Sequence, residues 1–311
     1  MLVFYNPHAC EGRAKEKLER VAPLLKRWGE KANLLRLDQL ESLNGKLRKA
    51  MEKGDGLIVA AGGDGTVHHV VNYLLRKYTP NDLKKITLGA IGLGSSNDFH
   101  KPIQSRACFR GIPITLNKNQ AVWRDVVRVR YREASGNWST RYFLINASCG
   151  ITAQANWLFN HPDKLLHLLK KTCTQLAILY AAFKTILTFK GLSIEAGNTA
   201  DALHRLCITN LALVKSTYCS GSFCYDSPFD QSDGSFWIHT CLKAGRMRVL
   251  RILWNLAHHR FRGQPATQSQ RATRFTIKGS KPFALEMDGE VVEIWEASFE
   301  VLPGRLRVCQ Q

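Results

Sequence analysis

One stretch decides the fold of this chain: Leu57-Ile58-Val59-Ala60-Ala61-Gly62-Gly63-Asp64-Gly65-Thr66-Val67. It opens with a run of apolar residues, which is typical of a strand buried on both faces. Glycines and an aspartate follow, and from Val67 to Leu75 apolar residues recur at helical spacing. The stretch therefore predicts a strand, a tight glycine loop and a helix.

The glycine loop has the properties of a phosphate site. Glycine lets a ligand approach the backbone closely, and a helix N-terminus offers unpaired N–H groups and partial positive charge. Asp64 is the exception, because a carboxylate repels phosphate unless it binds a metal ion or a reacting hydroxyl. A plain structural turn is the alternative interpretation.

Two further loops follow predicted strands in the first half. Asn6–Gly12 comes after 2–5, and Gly92–Asp98 comes after 86–91. Helices are predicted over 13–28 and 41–53, with a strand over 33–37 between them. Strands that alternate with helices form a parallel sheet, and ligands bind beyond the carboxyl ends of its strands. The three loops should therefore face one crevice.

Composition favours anionic partners. The chain of 311 residues carries 44 Lys plus Arg against 25 Asp plus Glu, a formal net charge of +19. Nucleotides, nucleic acid or an acidic membrane surface fit this excess, and so does a generally basic soluble protein. The nine cysteines lack metal-ligand spacing and are expected to be reduced thiols. With no basic leader after Met1 and no apolar span of about 18 residues, a cytoplasmic protein is expected.

The second half differs in character. Many short strands with few helices predict a β-rich antiparallel sandwich. The predicted strands cover 122–131, 142–147, 203–214, 235–242, 272–278, 283–287, 291–295 and 298–302. We expect an α/β domain over 1–121 and a β-rich domain over 122–311, and a final strand could return to the first domain.

Two basic amphipathic helices are predicted in this half, over 163–190 and 245–262. Such helices often lie on anionic membranes, although core packing also explains an apolar stripe. The adjacent histidines His68 and His69 point to different sides of a helix, so they are interpreted as solvated or packing residues rather than as a metal site.

The motifs resemble a known family. Gly62-Gly63-Asp64-Gly65-Thr66 and Gly94-Ser95-Ser96-Asn97-Asp98-Phe99 are similar to motifs of the diacylglycerol kinase catalytic domain. The opening Asn6-Pro7 and the late Asp288-Gly289-Glu290 match as well, so motifs in the right order cover most of the chain. That superfamily also holds sphingosine kinases and bacterial lipid kinases, with NAD kinase and phosphofructokinase as more distant relatives.

The resemblance implies a two-domain kinase with its active site between the domains. ATP and Mg²⁺ are the implied cofactors. The implied nucleotide-binding residues are Asn6, Pro7, Gly12, Gly62, Gly63, Asp64, Gly65, Thr66, Gly94, Ser95, Asn97 and Asp98. Asp64, Asp288 and Glu290 are the catalytic candidates, because a carboxylate must accept the proton of the attacking hydroxyl. Carboxylates in one cleft share their titration, so the base is left open among the three.

Some of these residues have alternative interpretations. Asp288-Gly289 between two strands is also a common hairpin dipeptide. Asp98 and Asp125 are expected to orient groups that contact the ligands. The loop 226–235 carries several aspartates, and oxygen-rich loops bind hard cations, although a solvated acidic loop is equally compatible. By the resemblance, Asp230, Asp233 and the Ser235 carbonyl would hold a structural cation.

The sequence therefore predicts an ATP-dependent lipid kinase that contacts the inner membrane face peripherally. Its substrate would be a lipid hydroxyl at a membrane surface, of the diacylglycerol or long-chain-base type. A kinase for a soluble substrate is one alternative. A non-catalytic nucleotide-binding membrane adaptor is another, since Cys10 and the sequence Leu37-Asp38 depart from the family pattern. No recognition motif for nucleic acid is present, and a homodimer is left open.

Overall fold

The computed structural model describes residues 1–7, 9, 14–27, 33–37, 44–52, 56–101, 108–199, 202–219, 221, 223–228 and 230–310. In the first half the elements are β1 Leu2–Tyr5, α1 Ala14–Arg27, β2 Asn33–Arg36, α2 Asn44–Glu52, β3 Leu57–Gly62, α3 Asp64–Lys77, α4 Pro80–Leu83, β4 Thr87–Gly92 and a 3₁₀ turn Asp98–His100. Strand order is β4-β3-β1-β2, and the neighbours pair in parallel.

Helices cover both faces of this parallel sheet. The alternation of side chains along a strand sends neighbouring residues to opposite faces. Leu2 and Phe4 of β1 therefore pack in one core with α2 and α3, whereas Val3 packs in a second core with α1. The continuous apolar run of β3 follows from this arrangement, because all of its residues are buried.

The second half is β-rich, with a group of helices inserted after one strand. Its elements are β5 Cys108–Phe109, β6 Ile112–Thr115, β7 Asn117–Glu133, β8 Trp138–Phe143, β9 Asn146–Gly150, α5 Ile151–Asn160, α6 Lys164–Thr172, α7 Thr174–Thr188, β10 Leu192–Gly197, β11 His204–Val214, β12 Tyr218–Cys219, β13 Phe223–Cys224, β14 Phe236–Leu242, α8 Arg246–Ala257, β15 Thr267–Ala272, β16 Arg274–Met287 and β17 Glu290–Gln310. Antiparallel pairs join these strands around a shared core, which includes Val127, Phe143, Leu211, Leu285 and Phe299.

The last strand links the two halves. β17 pairs with β16 and with β7 in the β-rich region, and near its end Arg307 and Val308 pair in parallel with β4. The hydrogen-bonded path therefore runs without a break from β15 to β2. One consequence is that the turn before β17 lies at a fixed place relative to both regions.

Several predicted boundaries were wrong. The helix predicted over 163–190 is two helices, since the backbone at Cys173 is extended (φ −150°, ψ 104°) and ends α6 before α7 begins. The sequence Thr172-Cys173-Thr174 explains the break, because these residue types have low helix propensity. The strand predicted over 142–147 is also divided, between β8 and β9, and the last four predicted strands merge into β16 and β17.

Candidate functional site

The glycine loop lies at the carboxyl end of β3, and α3 begins within it. Gly63 is the extended residue before the helix, and Asp64 occupies the first turn, where its negative charge suits the helix dipole. The helix therefore starts three residues earlier than the apolar spacing from Val67 suggests. The Thr66 hydroxyl is buried and has no hydrogen-bond partner among the described residues.

The second loop packs directly on the first. A Cβ at Gly94 would lie 2.4 Å from the Cα of Gly63, so only glycine allows this approach. Asn97 folds the loop back on itself, because its Oδ1 accepts a hydrogen bond from the Gly94 N–H at 3.0 Å and its Nδ2 donates to the Gly92 carbonyl. The Asn97 side chain is thus occupied with loop geometry, while Ser95 is exposed.

A lysine that the sequence analysis did not single out also holds this loop. Lys17 of α1 donates from Nζ to the carbonyls of Leu93 and Gly94 at 3.1 and 2.9 Å. No local pattern could identify it, because α1 and the loop are distant in sequence. Its cationic group brings positive charge to the edge of the candidate phosphate site.

Asp64 joins the two loops. Its Oδ1 accepts a hydrogen bond from the Phe99 N–H at 2.9 Å. Burial, together with the nearby charge of Asp98, raises the pKa of Asp64 to about 6. A carboxyl with a pKa close to neutral is suited to accepting and releasing a proton at physiological pH.

Asp98 contacts the β-rich region rather than open space. It accepts hydrogen bonds from the Gly221 N–H, at 3.0 Å to Oδ2, and from Lys101 Nζ, at 2.6 Å to Oδ1. Lys101 also donates to the Gly221 carbonyl. Asp98 therefore fixes Gly221 against the glycine loops, and the charge of its carboxylate raises the pKa of Asp64.

The Asp288-Gly289 turn brings carboxylates from the second half to the same place. It is a two-residue hairpin between β16 and β17, with positive φ at both residues (47° and 94°), as such turns require. Asp288 is buried and accepts backbone hydrogen bonds from Leu144, Ile145 and Asn146 at 3.0 to 3.1 Å. The hairpin and the catalytic interpretations of this motif are therefore compatible.

Each histidine of α3 faces one carboxylate of this turn. The Nδ1 of buried His68 is 3.4 Å from Asp288 Oδ2, and the Nε2 of His69 is 3.6 Å from Glu290 Oε1. His68 is a packing residue and His69 a solvated one, as predicted, and each in addition faces a carboxylate. His69 holds the pKa of Glu290 below its usual range. Glu290 also approaches the glycine loop, since a Cβ at Gly65 would lie 3.4 Å from its Oε1.

Glu286 was also missed. It is buried behind the turn, where it accepts hydrogen bonds from Ser148 Oγ at 2.7 Å and from the Gly289 N–H at 2.6 Å. Burial raises the pKa of Glu286 to about 7. The alternation in Phe283–Met287 places Glu286 on the strand face opposite Leu285, which was the one available signal.

The first loop is described only in part. The Asn6 N–H donates to the Ala61 carbonyl at 3.2 Å, so the start of this loop lies beside the end of β3. Pro7 is half-buried next to it. Gly12 lies outside the described residues.

The predicted cation ligands converge on a lysine. Nζ of buried Lys215 lies 2.8 Å from Asp233 Oδ1, 2.8 Å from the Ser235 carbonyl and 3.1 Å from the Asp230 carbonyl. Asp125 belongs to this cluster too, with its Oδ2 at 2.8 Å from Nζ, and does not contact the cleft residues described above. These residues do not fit a metal ion, because an ammonium group occupies the point that the ion would need.

The cleft residues do fit a phosphate ligand with a cation. Gly63 and Gly94 keep side chains out of the space between the loops, and Thr66 offers an unpartnered hydroxyl. Asp64, Asp288 and Glu290, from opposite halves of the chain, surround the start of α3. This arrangement can bind phosphates and take up a proton beside them.

Comparison with known proteins matches part of the chain to a family model. Residues 1–129 match the family model described as the diacylglycerol kinase catalytic domain. The match covers the part of the chain that carries the glycine motifs, as the resemblance predicts.

Curated relatives carry related names. The chain is 43% identical over 96 residues to mitochondrial acylglycerol kinase of Xenopus laevis and 38% identical over 134 residues to that of Homo sapiens, covering 30% and 41% of this chain. It spans only 22% and 31% of the length of these relatives. A diacylglycerol kinase of Staphylococcus haemolyticus is 24% identical over 309 residues, which cover 99% of this chain and 87% of the relative.

The fold resembles solved structures along its whole length. A crystal structure provisionally described as a diacylglycerol kinase from Bacillus anthracis str. Sterne superposes with a TM-score of 0.71 at 18% identity, covering 100% of this chain and 94% of the other. At this identity the likeness concerns the fold alone. Among the described helices, none has the length and apolar character needed to cross a bilayer.

Proposed function

We propose that this protein is an ATP-dependent lipid kinase, which transfers the γ-phosphate to a lipid hydroxyl of the diacylglycerol or long-chain-base type. One observation carries the proposal: Asp64 of the glycine loop lies beside the Asp288–Glu290 turn, although more than 200 residues separate them in sequence. The cleft between the two regions thus combines a phosphate-binding loop with carboxylates from both.

The phosphates of ATP would be held by the two glycine loops and by the first turn of α3. Gly62, Gly63, Gly65 and Gly94 allow backbone contact there, Thr66 offers its hydroxyl, and Asp64 is the nearest ligand for Mg²⁺. Bound Mg²⁺ supplies neutralisation of the phosphate charge during transfer. Lys17 and the positive end of α3 add to that neutralisation from the protein side.

The carboxylates handle the proton. In the transfer, the lipid oxygen bonds to the γ-phosphorus, the bond from that phosphorus to the leaving oxygen of ADP breaks, and the hydroxyl proton passes to a carboxylate of this chain. Asp64, with a pKa of about 6, and Glu290, which is half-exposed, are the carboxylates proposed to take the proton. Asp288 already accepts three backbone hydrogen bonds. It is therefore suited to holding the turn in place rather than to accepting the proton.

The kinase assignment is tested by ATP consumption in mixed micelles that contain a panel of hydroxyl lipids. Asp64→Asn keeps the shape of the side chain and removes its charge, so we expect it to fold and to lose at least about 100-fold in turnover. Asp82→Asn is the matched control, because Asp82 caps the short exposed helix α4 outside the cleft. Normal turnover in Asp64→Asn would overturn the assignment.

Other outcomes of the same assay separate the rival functions. Turnover without micelles, with a water-soluble alcohol as acceptor, would change the assignment from a lipid kinase to a kinase for a soluble substrate. ATP binding without turnover over the whole panel would favour the non-catalytic adaptor.

An exposed apolar surface on three helices supports a membrane location for the substrate. We define this apolar surface by exposed side chains of α6, α7 and α8: Leu165, Leu168, Leu176, Leu179, Phe183, Leu187, Met247, Leu250 and Trp254. The helices are adjacent, since α6 and α7 share a small core and Arg246 Nη2 donates to the Leu187 carbonyl at 2.8 Å. Exposed apolar side chains on neighbouring helices are typical of an interaction site.

Charge favours an anionic bilayer as the occupant. The outer positions of these helices carry exposed cationic residues, including Lys164, Arg246, Arg248 and Arg251. We therefore propose peripheral contact with the inner face of a membrane, with the apolar side chains entering the interface.

Vesicle sedimentation tests this contact. Trp254→Ser should reduce binding to vesicles rich in phosphatidylglycerol several-fold, because Trp254 is 68% exposed on the apolar surface. Trp138→Ser is the control, since Trp138 is 51% exposed on β8, away from these helices. Equal loss in both variants, or equal binding to uncharged vesicles, would contradict the proposal.

A further inference from the structure

Lys215 is a charged residue in an unusual place. It follows β11 directly, after the buried residues Leu213 and Val214, and only 5% of its surface is exposed. Burying an ammonium group is costly unless oxygen atoms replace its water. Lys215 must therefore have a compensating environment.

That environment is an oxygen cage. Nζ lies within 3.1 Å of four oxygens: the carboxylates of Asp125 and Asp233 and the carbonyls of Asp230 and Ser235. Two carboxylates and two carbonyls are a donor set typical of a hard divalent cation rather than of a lysine. The distances of 2.8 to 3.1 Å are those of hydrogen bonds from an ammonium group.

A metal ion and this lysine exclude each other. An ion bound to the same oxygens would need distances of about 2.0 to 2.6 Å and would have to lie at the position of Nζ. The local charge is already balanced, since Arg271 pairs with the other oxygen of Asp233.

The cage connects several distant segments. Asp125 of β7 accepts hydrogen bonds from the Gly234 N–H at 2.8 Å and from the Gly304 N–H of β17 at 2.9 Å. On the other side, the chain from Lys215 leads within a few residues to Gly221, whose N–H donates to Asp98 in the cleft. Lys215 therefore lies six residues before the residue that contacts Asp98.

We propose that the Lys215 ammonium is a tethered replacement for a structural divalent cation, so that the turn 230–235 folds without metal and removal of the lysine opens a divalent cation site. The inference does not depend on the kinase assignment, because it concerns the cage alone.

The experiment compares thermal unfolding of the full chain without nucleotide, in EDTA and in millimolar Mg²⁺ or Ca²⁺. The wild type should have the same Tm in both conditions. Lys215→Ala, purified in Mg²⁺, should lose roughly 10 °C in EDTA, because it leaves the buried Asp125 carboxylate without its cation. Divalent cation should restore most of that loss, as an ion can now reach the four oxygens.

Two variants sharpen the comparison. Lys215→Met fills the same space without charge, so it should be destabilised and should not respond to cation. Adding Asp233→Asn to Lys215→Ala should abolish the rescue. A Lys215→Ala variant whose Tm does not change with divalent cation would overturn the proposal. If Lys215→Ala fails to fold, the wild type still tests the proposal: a cation-dependent Tm that Asp233→Asn removes would overturn it.

Discussion

Two groups of carboxylates in this molecule are treated in opposite ways. Asp125 and Asp233 meet the cations Lys215 and Arg271 inside the β-rich region. Asp64 and Glu286 lie close to other carboxylates, and burial raises the pKa of both. The comparison teaches that carboxylates paired with cations stabilise the fold, whereas carboxylates close to one another have a raised pKa, the property that the proposed kinase uses at Asp64.

The largest expected difference between the groups is in stability. Asp125→Asn should lower the free energy of unfolding by about 3 kcal/mol, because it removes a charge that compensates a buried lysine. Asp64→Asn should leave the free energy of unfolding unchanged at pH 8 or raise it. The variant removes a charge that is costly to bury and that is repelled by Asp98. Urea unfolding at pH 8 measures the free energy of unfolding of both variants. Equal losses in Asp125→Asn and Asp64→Asn would contradict the difference between the two groups of carboxylates.

The next effect is the pH dependence of stability around Glu286. Its pKa is raised from 4.5 to about 7 in the folded protein, so the folded state binds more protons than the unfolded state between these pH values. Stability contributed by this carboxyl is therefore present below about pH 4.5 and is lost as pH rises towards 7, by at most about 3 kcal/mol.

Glu286→Gln removes this titration. Urea unfolding at pH 5 and pH 8 should show the variant gaining relative to the wild type as pH rises. Asp82→Asn, at an exposed helix cap, serves as the control with a parallel profile. A constant difference between Glu286→Gln and the wild type at the two pH values would contradict the raised pKa.

The smallest effect concerns the electrostatic coupling between Asp98 and Asp64. The rate of phosphate transfer should fall as pH drops through about 6, because the carboxyl of Asp64 becomes protonated. Asp98→Asn removes a nearby negative charge and should move this acid limb to lower pH by less than about one unit. The pH profile of kcat/KM over pH 5 to 8 measures the shift, and a shift towards higher pH would show that the coupling has another origin.

Local patterns predicted the first half of the fold well. The apolar run 57–61 followed by glycines predicts β3 and its loop because burial on both faces and backbone freedom are local requirements. The alternation of strands and helices likewise gave the parallel sheet. The ends of the helices were predicted less accurately. The apolar spacing from Val67 did not include the first turn of α3, because that turn contains few apolar residues.

Partners in the site were beyond the reach of local patterns. His68 and Asp288 are 220 residues apart in sequence, and nothing in either segment indicates the other. Lys215 was missed for the same reason, since its cage joins β7, the turn 230–235 and β11. A lysine directly after a buried apolar strand was the available sign that its charge has a partner.

The shared ladder of β7 and β17 restricts how the molecule can move. The two strands pair with each other both in the β-rich region, at Val127 and Val301, and beside the parallel sheet, at Val122 and Val308. A hinge rotation of one region against the other would have to shear this ladder. The ladder therefore opposes such a rotation, and we expect the separation between the Asp288–Glu290 turn and the glycine loops to change little when a ligand binds.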